Sequence, residues 1–352
     1  MKKRHLVVFL VIFMLFVMSG CNKSEGKQEE QKKAKEDKIQ IGMSFDSFVI
    51  ERWQRDRDIF VSIVKEQGAE VNVQNANGDV EEQRRQIEYF IQKGMDVIVI
   101  ICVDSDSLSE QVKKAKEAGI KVIAYDRLLN NSDVDLYISF DNEMVGTMMA
   151  QTLVDHGVAG GNVLMLGGSL TDNNVPLVEN AFKKVAEENN ITILDSMHAD
   201  GWRAELAGNY IYDQIDMVNK ADAIMCGNDN LASQVIRALS EKRLAGRIFI
   251  VGQDADLEAC QKIVEGTQLM TVYKPVENLA KRAAECALCL ARGEDIGQEG
   301  VDVINDGKYE VPYVKLAPIS VTKENMVDVI INSGFHLKED VYLNVPYMMN
   351  DK

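Results

Sequence analysis

Two tryptophans occur in the 352 residues, and both stand among polar side chains: Trp53 in ERWQRDRD (Glu51 to Asp58) and Trp202 at the end of ADGW. A run as charged as the first reads as the solvated face of a helix, an odd place for an indole. The chain also carries a set of side chains of one chemical kind: Arg52, Asp126, Arg127, Asp172, Asn174, Asn228, Asp254 and Lys274. Each can exchange bidentate or fan-shaped hydrogen bonds with hydroxyl groups. Three are carboxylates (Asp126, Asp172, Asp254) and three are cations (Arg52, Arg127, Lys274), so their charges sum to zero. Fixed charges that already cancel suit a neutral ligand rich in hydroxyls: carboxylates accept from hydroxyls, and guanidinium and ammonium groups donate to them. A sugar fits, and its ring adds apolar C–H faces that an indole on each side would cover. On this reading Trp53 and Trp202 are the two jaws and Arg52 reaches the ring's edge. The plainer alternative for Trp53 is packing against the surface of its own lobe or the N-terminal tether.

These residues need a scaffold that brings them together. The runs KIQIGMSF, AEVNVQ, DVIVIIC and IKVIAYD read as buried strands, separated by amphipathic stretches such as VEEQRRQIEYFIQKG and SLSEQVKKAKEAG. Gly68, Gly94 and Gly119 fall where the helices should stop. After YISFDNEMVG the pattern restarts with GNVLMLGG, NITILDSM, ADAIMCG, RIFIVGQ and QLMTVYK. Two doubly wound parallel units in succession predict an α/β protein of two lobes. Ligands of such sheets gather beyond the carboxyl ends of the strands, and there all ten residues are expected.

Ahead of this, basic MKKRH, a thirteen-residue apolar run and SGC (Ser19 to Cys21) read as a secretory signal. The placement of Cys21 resembles a bacterial lipobox, so residues 1–21 are expected to be a lipoprotein signal with Cys21 the acylated residue. Residues 22–37 are nearly devoid of apolar side chains and read as a charged tether to the outer face of the cell membrane. A net charge of −16 argues against nucleic acid or an anionic membrane surface as the ligand. The odd set Cys102, Cys226, Cys260, Cys286 and Cys289 is no disulfide framework, and CALC sits in an alanine-rich helical pattern where Cys serves as a small hydrophobe. His156, His198 and His336 show no ligand spacing, so neither a metal nor a cofactor is expected.

The segments IGMSFDSFVIERWQRDRDIFV, QNANGD, AYDRLL, YISFDNEMVG, DNN, ADGW, GQDADL, GTQLMTVYKP and SGFH, in this order, resemble the D-xylose-binding proteins of bacterial sugar ABC transporters, within the type I periplasmic binding protein superfamily. The likeness runs from Lys38 to about Lys338. ERWQRDRDIF and GQDADL with TVYKP belong to the xylose branch, whereas AYDR is shared more widely. The resemblance implies that the eight polar residues hold the sugar's hydroxyls and that Trp53 and Trp202 stack on it. It also implies one lobe of residues 38–143 with 275–308 and another of 144–274 with 309–352. A hinge of three crossings is then expected near Asp141 to Gly146, Lys274 to Val276 and Gly307 to Val311. CVDSDS after the third strand and the tail VYLNVPYMMNDK depart from the family's pattern.

Three functions are compatible with these residues. One is a lipoprotein that captures xylose or a related pentose and delivers it to an ABC permease; with no GxxxxGK[ST] motif, the ATPase would be another chain. Another is a receptor of the same fold that docks on a membrane sensor kinase or chemoreceptor. In the third, an enzyme, paired carboxylates would act as acid and base; the cation or amide beside each favours permanent ionisation and weighs against it.

Overall fold

The structure, a computed structural model, describes residues 38–297 and 300–350. The signal segment with Cys21 and the tether lie outside the described residues. All nine predicted strands form: β1 (Gln40–Phe45), β2 (Glu70–Asn75), β3 (Val97–Ile100), β4 (Lys121–Tyr125), β6 (Asn162–Gly167), β7 (Thr192–His198), β8 (Ala223–Cys226), β9 (Phe249–Gln253) and β10 (Met270–Tyr273). Four more join them, β5 (Leu136–Phe140), β11 (Val301–Asn305), β12 (Glu310–Leu316) and β13 (Ile319–Thr322).

They make two sheets, ordered β11-β12-β5-β4-β3-β1-β2 and β13-β10-β9-β8-β6-β7. Pairing is parallel except at one edge of each sheet, where β11 runs against β12 and β13 against β10. The continuous apolar runs follow from burial on both faces. In β3, Val97 and Val99 join one apolar layer while Ile98 and Ile100 join the other; in β6, Leu164 and Leu166 oppose Val163 and Met165. One layer is shared by the lobes, running from Phe45, Ile50 and Trp53 to Val175, Ala199 and Trp202.

The helices that matter for the site begin at carboxyl ends of strands: α1 (Arg52–Glu66) after β1, α5 (Asn174–Glu188) after β6 and α8 (Asp229–Glu241) after β8. Between them come α2 (Val80–Lys93), α3 (Ser109–Glu117), α4 (Asn142–Leu153), α6 (Glu205–Asp213) and α7 (Ile215–Val218); α9 (Leu257–Glu265), α10 (Val276–Arg292) and α11 (Lys338–Val341) follow. α2 shows the caps expected of its sequence. Asp79 accepts from the backbone N–H groups of Glu81 and Glu82, and Gly94 ends the helix at φ 66°, a left-handed conformation costly for other residues.

The chain passes between the sheets after β5, after β10 and after β12. The first two crossings fall where expected. The third does not lie at Gly307 to Val311, because Gly307 sits in the turn of the β11–β12 hairpin and β12 pairs with β5 in the first sheet. Residues 309–316 therefore belong to the first lobe, and the crossing is at residues 317–318. The first and third crossings are tied side by side: Asp141 N donates to Leu316 O at 2.9 Å, and Lys315 Nζ lies 3.3 Å from Asp141 Oδ2. The tail packs on the second lobe, with Phe335, Val341, Tyr342 and Val345 against Cys260, Ile263 and Val264 of α9.

Candidate functional site

Nine of the ten singled-out residues line one cavity between the sheets: Arg52, Trp53, Asp126, Arg127, Asp172, Asn174, Trp202, Asp254 and Lys274. The empty space within it, including what opens to solvent, is about 440 Å³. Each residue follows the carboxyl end of a strand, Arg52 and Trp53 from β1, Asp126 and Arg127 from β4, the others from β6, β7, β9 and β10. Asn228 is the exception. It neighbours Gly227, which does line the cavity; its Oδ1 accepts from Leu231 N at 2.9 Å and caps α8, while its buried Nδ2 has no hydrogen-bond partner among the described residues.

The charged ERWQRDRD run answers its own puzzle through periodicity. Arg52, Trp53, Asp56, Phe60 and Val64 form the buried stripe of α1, and the solvated face is carried by the residues between them. Trp53 is fully buried, with the Arg52 guanidinium 4.0 Å over its ring and Phe45 edge-on at 6.3 Å. Trp202 comes from the opposite lobe, held at φ 58° in a short turn whose backbone N–H returns to Ala199 O. Its indole lies directly over Gly168, where a Cβ would come within 2.2 Å of Cη2.

The polar groups form one network. Arg52 donates to Asp126 and lies 3.6 Å from both Asp56 and Asp254; Lys274 Nζ is 3.3 Å from Asp254 Oδ1. Arg127 Nη1 donates to Asp46 Oδ2 at 2.9 Å, and its Nε pairs with Asp172 Oδ2 at 2.7 Å. Asn174 Nδ2 reaches across to Asp126 Oδ1 at 3.2 Å. Nearby, loops of the two lobes bond directly: Leu128 N to Asn173 Oδ1 at 2.8 Å and Ser105 N to Thr171 O at 3.0 Å.

The balance of charge differs from the expected zero. Asp56, one helical turn beyond Arg52, and Asp46, just past β1, stand behind the guanidinium groups, and Glu179 also lines the cavity, bonded to Lys183 and His198. Acids therefore outnumber cations, and protons offset part of the excess. Burial pushes Asp56 up to about 7 against the pull of Arg52 and the Tyr125 hydroxyl. Burial also raises Asp46 and Asp172 against the pull of Arg127. Asp126 goes the other way, since the pull of Arg52 and Lys274 overcomes its burial. The expectation that neighbours keep the cleft carboxylates low thus holds for Asp126 and fails for Asp172.

Within this network several buried polar atoms have no hydrogen-bond partner among the described residues, including Nε1 of both tryptophans, Arg127 Nη2, Asn228 Nδ2 and Gln253 Oε1. Leaving one such group unmet costs about 1–3 kcal/mol, so so many round one cavity mark a site shaped for a polar occupant. Gln253, Asp46, Asp56 and Gly168 were not singled out from the sequence. The Arg52-to-Asp56 spacing of one helical turn and the paired glycines after β6 were the signals available for the last two.

Among the described residues no cluster of His, Cys, Asp and Glu could hold a metal ion, and no helix is long and apolar enough to cross a membrane. Cys286 and Cys289 lie in α10, and the described cysteines are free thiols.

Two parallel-sheet lobes, three crossings and a polar cleft flanked by indoles define a two-lobed α/β binding protein of type I architecture. The chain belongs to the periplasmic binding protein family: a family model described as "Periplasmic binding protein domain" matches residues 41–295. It is similar to the D-xylose-binding periplasmic protein of Escherichia coli (strain K12), 44% identical over 308 residues, which is 86% of this chain and 92% of that protein. The D-xylose-binding periplasmic protein of Haemophilus influenzae is likewise 44% identical, over 309 residues. Among solved structures, an ABC transporter solute binding protein from Clostridium phytofermentans with bound beta-D-glucose superposes with a TM-score of 0.78 at 27% identity, covering 86% of this chain and 99% of that one.

Proposed function

We propose that this protein captures D-xylose, or a closely related pentose, between its lobes outside the cytoplasm and delivers it to an ABC permease, held to the membrane through Cys21. The observation that carries the reading is the single cavity lined by nine hydrogen-bonding and stacking side chains from both lobes. The unpartnered donors and acceptors on its wall and the D-xylose-binding relatives at 44% identity support a monosaccharide. Asp126, Asp172 and Asp254 accept from the sugar's hydroxyls, and Arg52, Arg127, Asn174 and Lys274 donate to them. Trp53 and Trp202 cover the two ring faces.

Because the wall is divided between lobes, the sugar completes its contacts only in the closed form and so favours closure. Closure is the signal the permease reads. No proton transfer or bond cleavage is assigned to the carboxylates, which match a non-enzymatic binding family.

A thermal-shift panel of pentoses and hexoses tests the reading. At a hundred times its dissociation constant the right sugar adds about 2.7 kcal/mol of stability. D-xylose is expected to raise the melting temperature more than D-glucose or D-ribose at equal concentration. No shift with xylose beside a clear shift with another sugar would replace the ligand.

A further inference from the structure

Asp254 reaches the cleft from a backbone that resists its own conformation. Its φ is 99° and that of Ala255 is 56°, two consecutive non-glycine residues on the unfavourable side of φ. Such a turn persists only where neighbours over-determine it, and a buried cluster beneath it does so. Thr271 of β10, fully buried, accepts at Oγ1 from Ala255 N at 3.1 Å and donates to Asp229 Oδ2 at 2.6 Å. The same Asp229 oxygen accepts from Asp256 N at 3.2 Å, and its other oxygen accepts from Gln268 Nε2 at 2.9 Å. Asp254 N itself donates to Val272 O at 2.8 Å, so the turn is held on three successive N–H groups. Gly252 leaves the room, since a Cβ there would stand 2.3 Å from Asp229 Oδ1.

We propose that Thr271 and Asp229 are positioning residues for Asp254: they hold the strained turn that aims its carboxylate, 3.3 Å from Lys274 Nζ, at the ligand. Neither residue lines the cavity. Their whole effect on binding passes through Asp254, and the proposal rests on the sugar-binding reading above. Thr271→Val keeps the volume and removes both bonds of the hydroxyl, whereas Thr271→Ser keeps them.

The test is a double-mutant cycle read by titration calorimetry with D-xylose. Thr271→Val is expected to weaken binding roughly tenfold, the scale of one stranded buried donor, and Thr271→Ser less than about threefold. In the Asp254→Ala background Thr271→Val is expected to change affinity by less than about twofold, because the group it positions is gone. Asp229→Ala, which removes both acceptor oxygens, is expected to follow the same pattern and serves if Thr271→Val folds poorly. Equal losses with and without Asp254 would overturn the positioning role while leaving the site intact. Wild-type affinity in Asp254→Ala alone would remove Asp254 from the site and overturn both.

Discussion

Replacing Arg52 by Ala is expected to lower D-xylose affinity at least about thirtyfold and to lower the melting temperature by roughly 10 °C. Arg52 is 5% exposed and is the cation shared by Asp56, Asp126 and Asp254. Without it, Asp56 is left buried with no cation beside it and Asp126 and Asp254 are left to Lys274, and breaking a buried pair in this way costs about 3–5 kcal/mol. Arg57→Ala, five positions along the same helix, is the control. Its pair with Asp58 is at the surface and is worth less than about 1 kcal/mol.

The Arg52 deficit also carries a pH signature. In the wild type Asp126 is held below its ordinary pKa, so it contributes stability above pH about 4 that is lost as pH falls through its folded value. Once the guanidinium is gone, burial dominates at Asp126 and further raises Asp56. Both then keep protons in the folded state that the unfolded chain releases, and stability falls as pH rises. The gap in melting temperature between wild type and Arg52→Ala should therefore be wider at pH 8 than at pH 5. A gap independent of pH would mean that Arg52 acts by packing on Trp53 and not as a counter-charge.

Gly168→Ala is expected to cost about as much binding as Trp202→Ala, at least about thirtyfold each. Gly168 is not among the positive-φ glycines, so an alanine meets no backbone penalty there and the effect is steric alone. The added methyl would stand 2.2–2.4 Å from Cη2, Cζ2 and Cζ3 of Trp202, and the indole must leave the cavity wall. Titration of the pair separates displacement from general damage: once Trp202 is Ala, adding Gly168→Ala should change affinity by less than about twofold. Near-wild-type binding by Gly168→Ala would show that Trp202 does not cover the ligand.

Much of this was legible in one dimension because the elements that matter most are the most regular. Strands such as VIVI and VLMLG are buried on both faces and therefore appear as unbroken apolar runs. The rule that ligands sit beyond their carboxyl ends then led to nine residues that do share a cavity. What failed lay at the edges. β11 and β12 are half-exposed and carry mixed sequences, so their hairpin was not read as strands and the third crossing was expected at its turn, near Gly307 to Val311. Asn228 stands apart from the nine because its Oδ1 caps a helix, while its buried Nδ2 is left without a partner. Thr271 could not be weighed from the sequence, since its partner Asp229 is 42 residues away, and for Asp56 only the i,i+4 spacing from Arg52 was visible, its partner Tyr125 being 69 residues away.

A crystal grown with D-xylose measures the central claim most directly. One pentose should lie between the indoles of Trp53 and Trp202, its hydroxyls within about 2.6–3.2 Å of Asp126, Asp172, Asp254 and the three cations. A clear cleft with the sugar elsewhere, or a ring that touches only one lobe, would contradict it.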